Sequence, residues 1–161
     1  MNLSQKIAAA LASANPTSGV IVADNGTHQL ALHAIAASSL GVEANLLTFQ
    51  STRPPSPAYT ISELKTWADR IAARITYLME PLVVLEADTE GVTVELRSQT
   101  PTPRDGLRSY FEVRIDRHGL VKLERLAYDD STRSRSAVPF QLSREVLERL
   151  ADDLVATSLK T

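Results

Sequence analysis

The sequence of 161 residues is poor in the residue types that most often mark a chemical site, because it has no cysteine, six glycines and one tryptophan. The lack of cysteine excludes disulfides, thiolate zinc sites, iron–sulfur clusters and cysteine nucleophiles. The glycines are scattered among turns and build no phosphate-binding loop. No apolar run approaches the roughly 20 residues that a membrane-spanning helix requires. We therefore expect no cofactor, no metal and no contact with a membrane.

Net charge, composition and length describe an ordinary globular protein. Seventeen basic and 19 acidic side chains leave a net charge of −2, which gives no overall attraction to nucleic acid or to anionic lipid. With 43% apolar residues, a chain of this length suits a single domain. The segment Met1–Ala8 lacks the charged-then-apolar layout of a secretion signal, and a chain without cysteine suits a reducing compartment. These features predict a cytoplasmic protein.

The first third of the sequence predicts one helix followed by three strands. Apolar residues recur at four-residue spacing from Leu3 to Leu11 and predict a helix over residues 3–14, which Pro16 ends. Asn25 and Gly26 tolerate positive φ and predict a tight hairpin turn. The strands predicted here are Val20–Val22, Leu30–Ile35 and Val42–Phe49.

A second helix is predicted over Ile61–Leu78. Thr60 and Glu63 have the spacing of a capping box, and Pro81 ends the helix. Its apolar stripe consists of Leu64, Trp67, Ala68, Ile71, Ile75 and Leu78. Amphipathic helices normally bury such a stripe in the core. If part of it is exposed, the stripe is a dimer or partner interface, because aromatic anchors concentrate binding energy. The interface would then consist of Leu64, Trp67, Ile71 and Ile75.

From Leu82 to Tyr128 the apolar spacing changes to two, which predicts a meander of four strands with one solvated polar face. Residues 100–106 and 129–137 are predicted as loops, and a last helix is predicted over residues 143–157. The predicted fold class is α+β, with helices packed on an antiparallel sheet of about six to seven strands in the order α-βββ-α-ββββ-α.

Few residues suggest chemistry. His28 and His33 lie five residues apart on one strand, so they point to opposite faces and cannot share a metal. Glu112 and Arg114 share a strand face with neighbouring charges, and cross-strand ion pairs are the simplest interpretation. The acidic segment Asp129–Thr132 lacks the ligand spacing of a calcium loop. We therefore assign no catalytic residue and no metal site.

A nucleic-acid contact is the least favoured interpretation. It would use the arginines of the second half of the chain, which are Arg104, Arg108, Arg133 and Arg135. No aromatic side chains alternate with Arg133 and Arg135 to stack on bases, and Asp129 and Asp130 lie close to them in the sequence.

The order of elements resembles that of the small type III secretion chaperone-like domains. The matching segments are the helix from Leu3, the three strands from Val20 to Phe49, the helix Ile61–Leu78, the strands Phe111–Tyr128 and the helix after Ser143. The resemblance implies a homodimer that binds an unfolded segment of a secreted partner, without catalysis.

Two functions follow as hypotheses. The first is a non-catalytic protein-binding or chaperone-like module that forms a homodimer. The alternative is an enzyme or a small-ligand-binding domain with a pocket between the sheet and the helices. The polar residues that would line this pocket are His33, Tyr110, Glu112 and Arg114.

Overall fold

A computed structural model describes residues 1–13, 19–99, 102–104 and 106–159, together with every side chain of these ranges except those of Thr102 and Arg104. Within these ranges the chain forms three helices and ten strands, which confirms the α+β class. The helices are α1 Leu3–Ser13, α2 Ile61–Arg74 and α3 Arg144–Thr157. The strands are β1 Gly19–Asp24, β2 His28–Ala37, β3 Gly41–Ser51, β4 Leu82–Asp88, β5 Thr93–Ser98, β6 Thr102–Arg104, β7 Leu107–Asp116, β8 Val121–Asp129, β9 Ser134–Val138 and β10 Phe140–Ser143.

The strands form one antiparallel sheet in the order β1-β2-β3-β8-β7-β5-β4. Three short strands lie beside this path: β10 pairs with β3, β6 with β7, and β9 with β8. The four long strands between α2 and α3 were predicted, and the short ones account for the higher strand count. The prediction of a loop over residues 129–137 is wrong for residues 134–137, because these residues belong to β9, which pairs with β8. Most β9 side chains are exposed, so no alternation of apolar residues marks this strand in the sequence.

The helices cover one face of the sheet, called here the inner face, and the opposite face is called the outer face. On β2 the alternation places Leu30, Leu32 and Ala34 in the core. On β7 the alternation likewise places Phe111 and Val113 in the core. The buried residues of sheet and helices form one continuous hydrophobic cluster. Among the described helices, none has the length and apolar character needed to cross a bilayer.

The start of α2 matches its prediction and its end does not. Thr60 Oγ1 accepts a hydrogen bond from the backbone N–H of Glu63 at 3.2 Å, and Glu63 Oε1 accepts from the N–H of Thr60 at 3.1 Å. The helix ends at Arg74 instead of Leu78. Ile75 begins a pair of β-branched residues, whose stiff side chains disfavour a further helical turn. Ile75 and Leu78 are nevertheless buried, which explains why the apolar spacing continues beyond the helix.

Candidate functional site

The predicted pocket residues occupy the outer face of the sheet. Tyr110, Glu112 and Arg114 alternate along β7 with side chains that enter the core. His33 shares this face but lies on β2, three strands away, which is a distance of about 14 Å at the usual strand spacing. The structure therefore brings three of the four predicted residues together, on the face opposite the helices. The predicted location between sheet and helices is wrong for these residues.

Two glutamates and two arginines form a charge cluster across β5 and β7. Register places Glu95 opposite Arg114 and Arg97 opposite Glu112. Arg97 Nε lies 3.0 Å from Glu95 Oε1, and Arg114 Nη2 lies 3.5 Å from Glu112 Oε1 and 3.8 Å from Glu95 Oε2. Both glutamates are buried, whereas the arginines remain partly exposed and cover them. The solvated polar face predicted for these strands is therefore wrong at this point.

The two carboxyl groups titrate differently. Burial, the hydrogen bond with Glu95 and the charge of Glu95 raise the pKa of Glu112 to about 7. Burial alone would also raise the pKa of Glu95, but the hydrogen bond from Glu112 and the nearby Arg97 and Arg114 lower it instead. A protonated Glu112 therefore donates to an ionised Glu95 up to nearly neutral pH.

The concavity beside this cluster is small. It measures about 140 Å³, and its lining includes Glu95, Arg114 and the acidic side chains Glu86 and Asp88. Sites for small molecules usually measure about 300–1,000 Å³. We interpret the cluster as a structural device that links β5 to β7. Sequence reasoning did not single out Glu95 and Arg97, although their alternation with Val94 and Leu96 places them on the face of Glu112.

The histidines are dispersed. His28 stacks on Phe49 with ring centroids 5.3 Å apart, and its Nε2 lies 3.3 Å from Ser158 Oγ. Burial lowers the pKa of His28. His33 is exposed on β2, and His118 lies in the turn before β8. Within the described part of the chain, no three acidic or histidine side chains are close enough to hold a metal ion.

The arginines considered for nucleic acid have local partners. Arg108 forms an ion pair with Asp130, and its guanidinium lies 5.6 Å from the centroid of the Tyr128 ring. Arg135 interacts with the hydroxyl of Tyr110. Arg133 is exposed in the turn before β9, and the side chain of Arg104 lies outside the described residues. Asp129 Oδ1 accepts hydrogen bonds from the backbone N–H and the hydroxyl of Ser131, so the acidic segment forms a turn.

The apolar stripe of α2 lies in the core. The four side chains considered as an interface, Leu64, Trp67, Ile71 and Ile75, are between 0% and 2% exposed. Trp67 packs edge-on against Tyr59, with ring centroids 6.1 Å apart. A partner could not reach these side chains in this fold. An interface of this chain would therefore require exposed apolar side chains elsewhere.

One exposed apolar surface lies at the β1 edge of the sheet. Ile21 and Ala23 of β1 are buried, whereas Val20 and Val22 on the outer face are 58% and 46% exposed. Ile35 on β2 adds a third exposed apolar side chain, at 37%. Among the described residues, β1 pairs with β2 and with no other strand. One side of its backbone is therefore available to another strand.

The two edges of the sheet differ in their protection. Natural edge strands usually avoid pairing through charged residues, prolines or bulges. At the opposite edge, β4 has a bulge at Leu85 and carries the exposed acidic residues Glu86 and Asp88. The segment Gly19–Asp24 has no proline, no basic residue and a regular register with β2. Its single charge, Asp24, accepts a hydrogen bond from the N–H of Gly26 within the turn.

Comparison with known proteins adds no further assignment, because no family model, no curated protein and no solved structure matches this chain.

Proposed function

We propose that this chain is a non-catalytic protein-binding module that adds a strand from another chain at its β1 edge. The observation that carries the proposal is the unprotected edge with its exposed Val20 and Val22. Strand addition is a common mode of protein recognition, in which backbone hydrogen bonds supply affinity and side chains on alternate positions supply specificity. The first occupant in this proposal is a second copy of the chain, so that the module is a homodimer.

Self-complementarity favours the second copy. A two-fold axis perpendicular to the sheet would pair two β1 strands antiparallel and keep the outer faces on the same side. With Ile21 on the axis, Val20 of one copy lies beside Val22 of the other, and no like charges meet within residues 20–22. Cross-strand pairs of β-branched residues add roughly 0.2–1 kcal/mol each to the backbone hydrogen bonds.

The proposal also includes a biological role, which is to hold a segment of another protein. The order α-βββ-α at the start of the chain resembles that of the secretion chaperone-like domains, and this resemblance suggests a dimer that holds an extended segment of another protein. Fold analogy alone supplies the segment of another protein, and the β1 edge supplies the physical basis of the dimer. A cytoplasmic location belongs to the same proposal.

Light scattering coupled to size exclusion tests the dimer. The wild-type protein should show twice the 17.6 kDa mass of the chain. Val22→Lys places a charge on the edge and should give the mass of a single chain with an unchanged circular dichroism spectrum. Leu85→Lys is the matched control, because Leu85 is 54% exposed on the opposite edge, and it should leave the dimer intact. A wild-type protein that stays monomeric over a concentration series would contradict the proposal.

A further inference from the structure

The outer face of β1, β2 and β3 carries apolar side chains, whereas the described helices pack on the inner face. Strand register places Val20, His33 and Leu46 in one row across the three strands, and Val22 and Ala31 in the next row. Domains are built from packed layers, so an apolar sheet face without a covering element can receive one from another molecule. The outer apolar patch, as it is called here, consists of the exposed or half-buried side chains Val20, Val22, Ala31, Ile35 and Leu46.

The three strands that carry the outer apolar patch contain no lysine and no arginine. The charged residues of the segment 19–51 are Asp24 and Glu43. Asp24 lies on the exposed side of β1, and Glu43 lies on β3 between two buried residues, so both face outward. Basic side chains begin on β8, where Lys122 lies opposite Thr48. The patch therefore attracts cationic partners and disfavours anionic surfaces such as nucleic acid and acidic lipid.

The two acidic residues lie at opposite ends of the outer apolar patch. Asp24 is opposite Gln29 of β2, and Glu43 is opposite Ala36 of the same strand. The separation of seven residues from Gln29 to Ala36 corresponds to about 23 Å along the strand. An α-helix of about 15 residues has this length.

We infer that the outer apolar patch binds an amphipathic helix of about 15 residues from another protein, with basic residues near both ends of the helix. Its apolar stripe packs on the patch, and its basic side chains pair with Asp24 and Glu43. Recognition of an amphipathic helix through its apolar stripe is a common mode of protein binding. This surface is the face of the sheet and not its β1 edge, so the inference goes beyond the strand addition proposed above.

The dimer proposed above leaves room for one helix on each copy. Its two outer faces lie on the same side, and the two β2 strands are three strand spacings apart, which is about 14 Å. Packed helices need an interaxial distance of about 8–10 Å. Two helices that follow the β2 strands can therefore lie side by side.

Fluorescence anisotropy with two labelled peptides tests the charge requirement. The first peptide has about 15 residues, with leucine at helical spacing and lysine at the other positions, and the second has glutamate in place of lysine. The lysine peptide should bind with one site per chain, and the glutamate peptide should bind at least about tenfold more weakly, because like charges would meet. Equal affinities, or no binding of the lysine peptide, would overturn the inference.

Three variants locate the site. Ile35→Lys places a positive charge in the outer apolar patch and should weaken binding of the lysine peptide by about tenfold, with an unchanged circular dichroism spectrum. Leu85→Lys is the matched control, because it adds the same charge at an exposed apolar position of β4, and it should keep wild-type affinity. Glu43→Gln should weaken binding by about twofold to fivefold, the effect of one surface ion pair.

Equal affinities of Ile35→Lys and Leu85→Lys would show that the peptide responds to net charge alone and would overturn the inference. Ile35 lies on β2 and not on the β1 edge, so Ile35→Lys should keep the mass of the dimer. The helix-binding surface and the dimer can therefore fail separately.

Discussion

Replacing Glu112 by glutamine should remove a pH dependence that the buried carboxylate pair gives to the stability of the fold. Burial, with the hydrogen bond and the charge of Glu95, raises the pKa of Glu112 from 4.5 to about 7. In the unfolded chain the carboxyl group returns to its ordinary pKa. Between these two values the folded protein therefore holds a proton that the unfolded chain has released. The free energy of unfolding should fall as the pH rises through this window and become level above it.

The pKa difference sets the magnitude. Each pKa unit corresponds to about 1.4 kcal/mol, so the rise from 4.5 to about 7 gives at most about 3 kcal/mol. The titration of Glu95 does not cancel this effect. Its pKa is lowered, so its contribution to the free energy of unfolding changes only below about pH 4.5. Glutamine keeps the shape and the donor of protonated Glu112. Glu112→Gln should therefore be more stable than the wild type by about 2–3 kcal/mol at about pH 8, and equally stable near the unfolded pKa.

Urea denaturation at a series of pH values measures this difference. The lowered pKa of His28 gives a pH dependence of opposite sign, but it is present in both proteins and cancels in the difference. Glu124→Gln is the control, because Glu124 lies opposite Glu112 on β8 but outside the buried pair, and its profile should follow the wild type. A stability difference between wild type and Glu112→Gln that stays constant with pH would refute the reasoning.

Two further substitutions test the packing of the sheet and the helices. Gly41→Ala should lower the free energy of unfolding by about 1–3 kcal/mol in urea denaturation, because the added Cβ would lie 2.6 Å from the carbonyl oxygen of Leu142 on β10. Gly91→Ala, where the Cβ meets only the end of a flexible side chain, should cost less, and equal costs would contradict this reason. Asp153→Asn should cost about 1–3 kcal/mol, because the buried Asp153 accepts 2.7 Å hydrogen bonds on both oxygens, from Arg74 Nε and from the Tyr77 hydroxyl, and asparagine has only one acceptor oxygen. A thermal melt unchanged by Asp153→Asn would contradict that role.

The parts of the fold that the sequence predicts are those in which one physical requirement acts locally. The alternation of Leu30 and Leu32 on β2 follows from a strand with one buried face. The Thr60–Glu63 capping box follows from two backbone N–H groups that need acceptors. Each of these signals lies within a few residues of chain, so no knowledge of the tertiary structure is required to interpret it.

The candidate sites depend on residues that are distant in sequence. Glu112 alternates with core residues and has the pattern of a solvated face, and the pairing of β5 with β7 is needed to bring Glu95 beside it. Arg125 follows the inward positions of Val121 and Leu123, but its partner Glu80 precedes it by 45 residues. Sequence spacing alone could not pair these groups.

The β1 edge is a consequence of sheet order for the same reason. The alternation of apolar residues in β1 would be the same whether β1 were a central strand or an edge strand. The pairing of all the other strands places β1 at the edge of the sheet. This position determines whether Val20 and Val22 are available to a partner.

Cysteine cross-linking tests the central claim, that β1 pairs with β1 of a second copy, most directly. The chain has no cysteine, so Val20→Cys and Val22→Cys each introduce a single thiol. Residues directly opposite in an antiparallel pair have Cα atoms about 4.5–5.5 Å apart, which suits a disulfide. On oxidation, an equimolar mixture of Val20→Cys and Val22→Cys should give a covalent dimer, because Val20 of one copy lies opposite Val22 of the other, whereas neither variant alone nor Leu85→Cys should do so. If the mixture forms no more covalent dimer than Leu85→Cys, β1 does not pair with β1 of a second copy in this register.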